Sequence, residues 1–194
     1  IRAASVDLEA SDNSNIASLT GAVSVAAAFG ALGASLSIGV GIAHNVVDND
    51  ITSYIRDVDA GVTTTAGNIT LDAHESATIV AQAFAAAAAV GLGGVGIALS
   101  GAGVFAGNTI LGDVDVYASN SVLDSAGDVV LQARNISVIQ AATLGVSVAV
   151  GAGVAAGFGV SIGAAIASNT IESGVHAYLL DTAVTAAGDL DVRA

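Results

Sequence analysis

Bulky apolar residues alternate with small ones through the segment from Leu144 to Ile166. The even positions carry mainly Val, Ile, Leu and Phe, whereas every odd position is Gly, Ala or Ser. A period of two is typical of a β-strand, because successive side chains of a strand point to opposite faces. A helix would carry the six glycines of this segment at a cost of about 1 kcal/mol each relative to Ala. The pattern therefore predicts strands.

The equivalent segments earlier in the chain alternate in the same way but switch phase once, near Ala31-Leu32-Gly33 and near Gly93-Gly94-Val95. A one-residue switch at glycine indicates a turn or bulge that divides the segment into two strands. The charged stretches also alternate, and Ala-Gly-Asp or Ala-Gly-Asn marks a turn after them. We expect about four strands per repeat and an all-β fold.

The chain is a single array of similar repeats over residues 1–194. Ala66–Ala73 matches Ala126–Ala133, and Ala187–Ala194 begins the next copy. The approximate repeats are 5–67, 68–127 and 128–188, and 189–194 starts a fourth. In each copy an Asn, a Tyr and an Asp or Asn recur in the same order, and we predict that they stack as structural ladders: Asn45, Asn108 and Asn169; Tyr54, Tyr117 and Tyr178; Asp57, Asn120 and Asp181.

Two all-β architectures fit this pattern. In a repetitive β-solenoid-like array, each repeat would wind as about three coils, with the Gly/Ala/Ser face lining a narrow interior or a tight contact between sheets. Alternatively, long-stranded antiparallel β-hairpins would stack into one extended sheet. Stacking in register would place the Asn and Tyr series in ladders, which favours the solenoid.

The composition restricts the partners of the chain. Four Arg, no Lys and 17 acidic residues give a formal net charge of -13, which repels nucleic-acid phosphates and excludes nucleic-acid binding. Charge is also segregated, because residues 13–47, 76–112 and 135–171 contain no Asp, Glu, Lys or Arg. Each repeat therefore has one dry half and one wet half.

Candidate chemistry is sparse. Pairs of aspartates two residues apart suggest weak calcium sites, because a hard cation prefers several carboxylate oxygens. The three histidines occupy different repeat positions, and no nucleophile, base and acid form a recognisable set, so we predict no catalytic residues, no enzyme activity and no bound cofactor other than calcium. The calcium candidates are Asp48, Asp50, Asp57, Asp59, Asp113 and Asp115.

The chain resembles a known type of repeat protein. A Gly/Ala-rich alternating run precedes Asn108-Thr109-Ile110 and Asn169-Thr170-Ile171, and Ala177-Tyr178 follows the second of these. This order resembles the tandem repeats of giant bacterial exoproteins and surface adhesins of the filamentous-haemagglutinin type. The resemblance implies secretion to the cell surface, a β-solenoid or related extended fold, and a role as stalk, fibre or adhesin. The first copy departs from it, with Asn45-Val46-Val47 and an insertion near Asp59.

We therefore expect an extracellular structural or adhesive repeat protein that forms a fibre, stalk or filament by β-stacking. Its partners would be neighbouring repeats, further copies of itself, and a cell-surface or polysaccharide ligand. One alternative is a membrane-inserted β structure, because each uncharged segment is long enough for two spanning strands and a turn. A remote alternative is a β-helical carbohydrate-active protein.

Overall fold

The computed structural model describes residues 1–194, and the chain is all-β without a helix, which confirms the predicted class. In each copy a short strand is followed by a very long strand and then by one of intermediate length. The strands are β1 (Arg2–Ala3), β2 (Val6–Asp12), β3 (Asn15–Asp48), β4 (Ile51–Thr64), β5 (Ile69–Glu75), β6 (Thr78–Leu111), β7 (Val114–Ser125), β8 (Val129–Asn135), β9 (Val138–Glu172), β10 (Val175–Ala186) and β11 (Leu190–Arg193).

Equivalent strands of successive repeats pair in parallel and form three sheets. The orders are β1-β4-β7-β10, β2-β5-β8-β11 and β3-β6-β9. Leu8 pairs with Leu71, and Leu71 pairs with Leu131, so one repeat makes one turn and not the three coils expected from the sequence. Every pairing is parallel. The fold is therefore consistent with a β-solenoid-like arrangement, and the antiparallel hairpin alternative is wrong.

The two sheets of shorter strands enclose an aliphatic core, and together we call them the base. Alternate residues of these strands point inward, as their period of two predicts. Leu71, Val116 and Leu131 are among the fully buried side chains between the sheets. Large aliphatic side chains therefore hold the charged half of each repeat together in the ordinary way.

The long strands β3, β6 and β9 fold back on themselves. Ser24 and Ser37 are 13 residues apart on β3, yet their hydroxyl oxygens lie 2.9 Å apart. The reversal occurs at Gly30, whose φ is 150°, and the equivalent point on β6 carries a register shift between Gly93 and Val95. The predicted division of each dry half into two segments is therefore correct, although the hydrogen-bonded strand continues through the bend.

Each folded strand has an outgoing arm and a return arm, and the stacked arms form a projection that we call the fin. The outgoing arms are residues 15–29, 78–92 and 138–152. The return arms are residues 32–48, 95–111 and 156–172. The bends between them form the tip of the fin, and the base lies at its other end.

Small residues face each other between the two arms. A Cβ atom built on Gly33 would lie 2.3 Å from the carbonyl oxygen of Leu92, and one on Gly91 would lie 2.3 Å from that of Ile97. The backbones are therefore too close for any side chain at these positions. Toward the base, alanines such as Ala85 and Ala106 fill the gap. This places the Gly/Ala/Ser face at a tight contact between sheets and turns the bulky apolar residues outward.

Candidate functional site

An asparagine ladder crosses all three coils near the junction of the fin and the base. The amide nitrogen Nδ2 of Asn45 donates to Oδ1 of Asn108 at 2.7 Å, and Nδ2 of Asn108 donates to Oδ1 of Asn169 at 2.8 Å. Asn45 also donates to the hydroxyl of Ser18 on the outgoing arm, 2.9 Å away. Only 1% of Asn108 is exposed. Because the bond between Asn45 and Asn108 is shielded from water, the ladder holds both the coils and the arms in register.

A tyrosine ladder runs along the surface of the base. The rings of Tyr54 and Tyr117 stack with centroids 5.3 Å apart, and those of Tyr117 and Tyr178 stack at 5.2 Å, with interplanar angles of 11° and 8°. The guanidinium of Arg56 lies 5.5 Å from the centroid of the Tyr54 ring. The ring spacing is close to the distance between neighbouring strands. The outer rings are partly exposed, so the ladder presents an aromatic edge to solvent.

The third predicted ladder, of Asp57, Asn120 and Asp181, is defined by a shared backbone conformation and not by identical side-chain contacts. Asp57, Asn120 and Asp181 are the only residues other than glycine with a positive φ, at 57°, 45° and 47°. Asp and Asn tolerate this left-handed conformation better than other residues with a side chain. Asn120 Nδ2 also donates to Asp57 Oδ1 at 3.0 Å. The recurrence of Asp or Asn at this position therefore has a conformational cause.

The aspartates proposed for calcium bond mainly to the backbone and to single side chains. Asp50 Oδ1 accepts a hydrogen bond from the backbone nitrogen of Asp113 at 3.1 Å, and Asp113 Oδ1 accepts one from that of Gly174 at 2.8 Å. Asp115 lies 3.0 Å from Nδ1 of His176. The remaining candidates, Asp48, Asp57 and Asp59, are exposed. No three His, Cys, Asp or Glu side chains lie close enough together to hold a metal ion.

A buried carboxylate occupies the ladder between Asp12 and Asn135, and sequence reasoning missed it. Glu75 has no exposed surface. Its Oε2 accepts a hydrogen bond from Asn135 Nδ2, and its Oε1 has no partner. Burial raises the pKa of Glu75 above its ordinary value, and the charges of Asp12 and Asp50 raise it further. The inward parity of Ile69 and Leu71, extended along β5, would have placed this residue inside.

The outer faces of the fin are the largest feature that the sequence alone did not locate. Bulky apolar side chains cover both faces, and Val25 is 74% exposed on the outgoing face while Ile38 is 61% exposed on the return face. The tip is also apolar, with Phe29 at 72% and Val154 at 99%. No Asp, Glu, Lys or Arg lies on the fin between the two ends of each dry half. Such a surface, on both sides of one projection, marks a binding or assembly site.

The dimensions of the fin follow from its register. On the return face, the apolar ladders run from Leu32 near the tip to Ile42 near the base. Ten residue steps at about 3.3 Å each give a height of about 33 Å. The next outward ladder toward the base is polar or small: His44, Gly107 and Ser168. Three coils at about 4.8 Å give a width of about 14 Å, so each face covers roughly 460 Å².

The fold and these ladders define an all-β repeat protein with parallel sheets and a stacked, apolar projection. No family model, curated protein or solved structure matches the chain. The chain also contains no helix of the length and hydropathy needed to cross a membrane.

Proposed function

We propose that this chain is an extracellular structural element: a β-solenoid segment whose coils stack into a fibre, stalk or filament at the cell surface. The observation that carries the proposal is the coil-to-coil identity of the ladders. Asn45, Asn108 and Asn169 repeat one hydrogen-bonding pattern, and the rings of Tyr54 and Tyr117 repeat one stack. Each coil therefore presents to the next the same groups that the previous coil presented to it.

The arms of the fin support this stacking, because the return arm of one coil also packs on the outgoing arm of the following coil. The hydroxyl of Ser147, on the third outgoing arm, donates to that of Ser100, on the second return arm, at 2.8 Å. A Cβ on Gly39 would lie 3.0 Å from the carbonyl oxygen of Ala86, one coil further on. The stagger interlocks the coils as well as pairing them.

The inner face of the last return arm contacts the outgoing arm of its own coil but has no arm from a following coil. Ser161 pairs in register with Ser100, yet Ser161 is exposed whereas Ser100 is buried. Gly157 and Gly96 differ in the same way. An outgoing arm from another coil fits this face, and the edges of β3 and β9 carry backbone groups free to pair. These features favour head-to-tail association, and the resemblance to filamentous-haemagglutinin-type repeats agrees with a fibrous role.

Self-association can be tested by sedimentation velocity and electron microscopy of the purified chain without detergent. We expect filaments with an axial repeat near the strand spacing of about 4.7 to 4.8 Å. The double substitution Ser161→Lys and Ala165→Lys places charges at exposed inner-face positions that already carry a side chain, and should shorten or abolish the filaments. Its control is Thr52→Lys with Thr185→Lys, which adds the same charge to exposed positions of the base. A monodisperse monomer at high concentration would contradict the proposal.

A further inference from the structure

The fin has three apolar surfaces that are all exposed to solvent in this chain. Its outgoing face, its return face and its tip carry Val25, Ile38 and Phe29, each more than half exposed. Packing against the fin of a second copy would cover one face and leave the other face in water. A fluid apolar medium covers both faces and the tip together.

We propose that the fin inserts into a phospholipid bilayer, with its faces and tip among the acyl chains and the acidic base in water. The height of the apolar ladders, about 33 Å, is close to the thickness of about 30 Å of a bilayer's hydrocarbon core. The polar or small ladder containing His44 and Ser168 lies where the lipid headgroups would begin. The next outward ladder contains Val46 and two threonines, and the one after it carries the charged residues Asp48 and Glu172 at the base ends of the return arms.

Backbone hydrogen bonding is compatible with insertion inside a stacked array. Hydrocarbon offers no hydrogen-bond partner, so every backbone N–H and C=O group needs one within the protein. Residues of β6 meet this need, because β6 pairs along its length with β3 on one side and β9 on the other. The open edges of β3 and β9 are covered only when another coil stacks on them. Insertion therefore rests on the proposed stacking, although the two can be tested separately.

The outer surface of the return face is uneven in a way that suits acyl chains lying along the strands. On the return face, Gly101 and Gly103 have open space above them. Gly101 lies between Ile38 on the first coil and Ile162 on the third, and Gly103 lies between Val40 and Ala164. The result is a shallow depression on the second coil, bounded along the strand by the exposed side chains of Leu99 and Phe105. When the fin stands upright in a bilayer, the long axis of this depression runs parallel to the lipid chains.

Charge predicts which lipid surface the fin enters. The formal net charge of -13 lies outside the dry halves, so the base meets the headgroups with a negative surface. Anionic headgroups repel such a surface over a Debye length of about 8 to 10 Å at moderate salt. We therefore expect stronger binding to phosphatidylcholine vesicles than to vesicles rich in phosphatidylglycerol, with a difference that shrinks as salt is raised.

Flotation of the 194-residue chain with phosphatidylcholine vesicles tests the proposal. The wild type should float with the vesicles, and the double variant Val25→Asp with Ile38→Asp should lose at least tenfold in the floated fraction. Both substitutions are at exposed positions, so circular dichroism should show an unchanged β signal. Thr52→Asp with Thr185→Asp adds the same charge to the base and should float as the wild type does.

Insertion can be distinguished from surface adsorption because the chain contains no Trp. In Phe29→Trp, a single indole reports from the tip, and in Tyr178→Trp it reports from the base. Vesicles containing lipids brominated on their acyl chains should shift the emission of Phe29→Trp to shorter wavelength and quench it several-fold. Emission from Tyr178→Trp should stay unchanged.

The outcomes separate the two proposals. Failure of the wild type to float, or flotation without quenching of Phe29→Trp, overturns insertion even when filaments form. Clusters that form without lipid and dissolve in the Val25→Asp, Ile38→Asp variant also overturn it, because the fins would then be covering each other. Flotation with quenching supports insertion, and sedimentation of the same sample without lipid reports independently on stacking.

Discussion

The Asn108→Ala substitution tests whether the asparagine ladder stabilises the stack. Asn108 makes two ladder hydrogen bonds, one as acceptor from Asn45 at 2.7 Å and one as donor to Asn169 at 2.8 Å. Each is expected to contribute a net of about 1 kcal/mol. The substitution also leaves one amide hydrogen of Asn45 without its acceptor, and Asn45 is only 9% exposed. An unsatisfied buried donor costs about 1 to 3 kcal/mol.

Together these contributions predict that Asn108→Ala lowers the free energy of unfolding by about 3 to 5 kcal/mol. For a chain of this size, each kcal/mol corresponds to a shift of about 2 to 4 °C in Tm. The matched control is Asn169→Ala, which removes a single ladder bond at an exposed position where water can replace it. We expect a loss of about 1 kcal/mol for this control.

The assay is urea unfolding followed by circular dichroism, with both variants at the same low protein concentration as the wild type. The difference between the two variants carries the test, because both replace Asn by Ala at register-equivalent positions. Equal losses of unfolding free energy for Asn108→Ala and Asn169→Ala would refute the idea that burial makes the hydrogen bonds of Asn108 important. A shift below about 1 kcal/mol for Asn108→Ala would mean that the ladder bonds only replace equivalent bonds to water.

Three further substitutions test other parts of the fold, each by urea unfolding. Glu75→Gln should stabilise the protein at neutral pH. Burial raises the pKa of Glu75 in the folded state, so the stability that this residue contributes is complete below its unfolded pKa and is lost as pH rises through the folded pKa. The difference in unfolding free energy between variant and wild type should therefore close toward pH 4. Asn120→Val should cost roughly 1 to 2 kcal/mol because φ is 45°, whereas Asn120→Gly should stay within about 0.5 kcal/mol, and equal costs would contradict the conformational explanation. Gly96→Val should cost about 3 kcal/mol or more, because its Cβ would lie 2.3 Å from the carbonyl oxygen of Ala152, while Gly101→Val on the open outer face should be tolerated. Similar losses at the two glycines would show that the arms are not tightly packed.

Much of the fold could be predicted because one pattern repeats with little variation. The alternation from Leu144 to Ile166 excludes a helix, and the phase switch near Gly93 marks the place where the long strand bends. The number of coils per repeat could not be obtained in this way. Alternation describes the two faces of a strand and is silent about its hydrogen-bonding partner, which for Leu8 is its equivalent in the next repeat, Leu71.

The candidate site was only partly predictable for a related reason. Inward and outward positions of the fin both contain uncharged residues, so polarity does not distinguish them. In the base, by contrast, polarity does distinguish the two faces. The deciding quantity is the distance between the arms, which only the structure supplies through contacts such as Gly33 against Leu92. Glu75 is the opposite case, because its parity with Ile69 predicts burial but its charge argues against it. The structure follows the parity, and the resulting burial raises the pKa of Glu75.

The close approach of the arms also limits what can cover the fin. Because Gly, Ala and Ser occupy most of the interior away from the base, most of the bulky residues lie outside. Every additional coil adds roughly 320 Å² of apolar surface over the two faces. The largest apolar patch of a typical soluble monomer is about 300 to 600 Å², so the three coils of this chain already exceed it. A small ligand would occupy a fixed area and leave the growing remainder in water. The covering partner must therefore extend with the array, as a bilayer does along its plane.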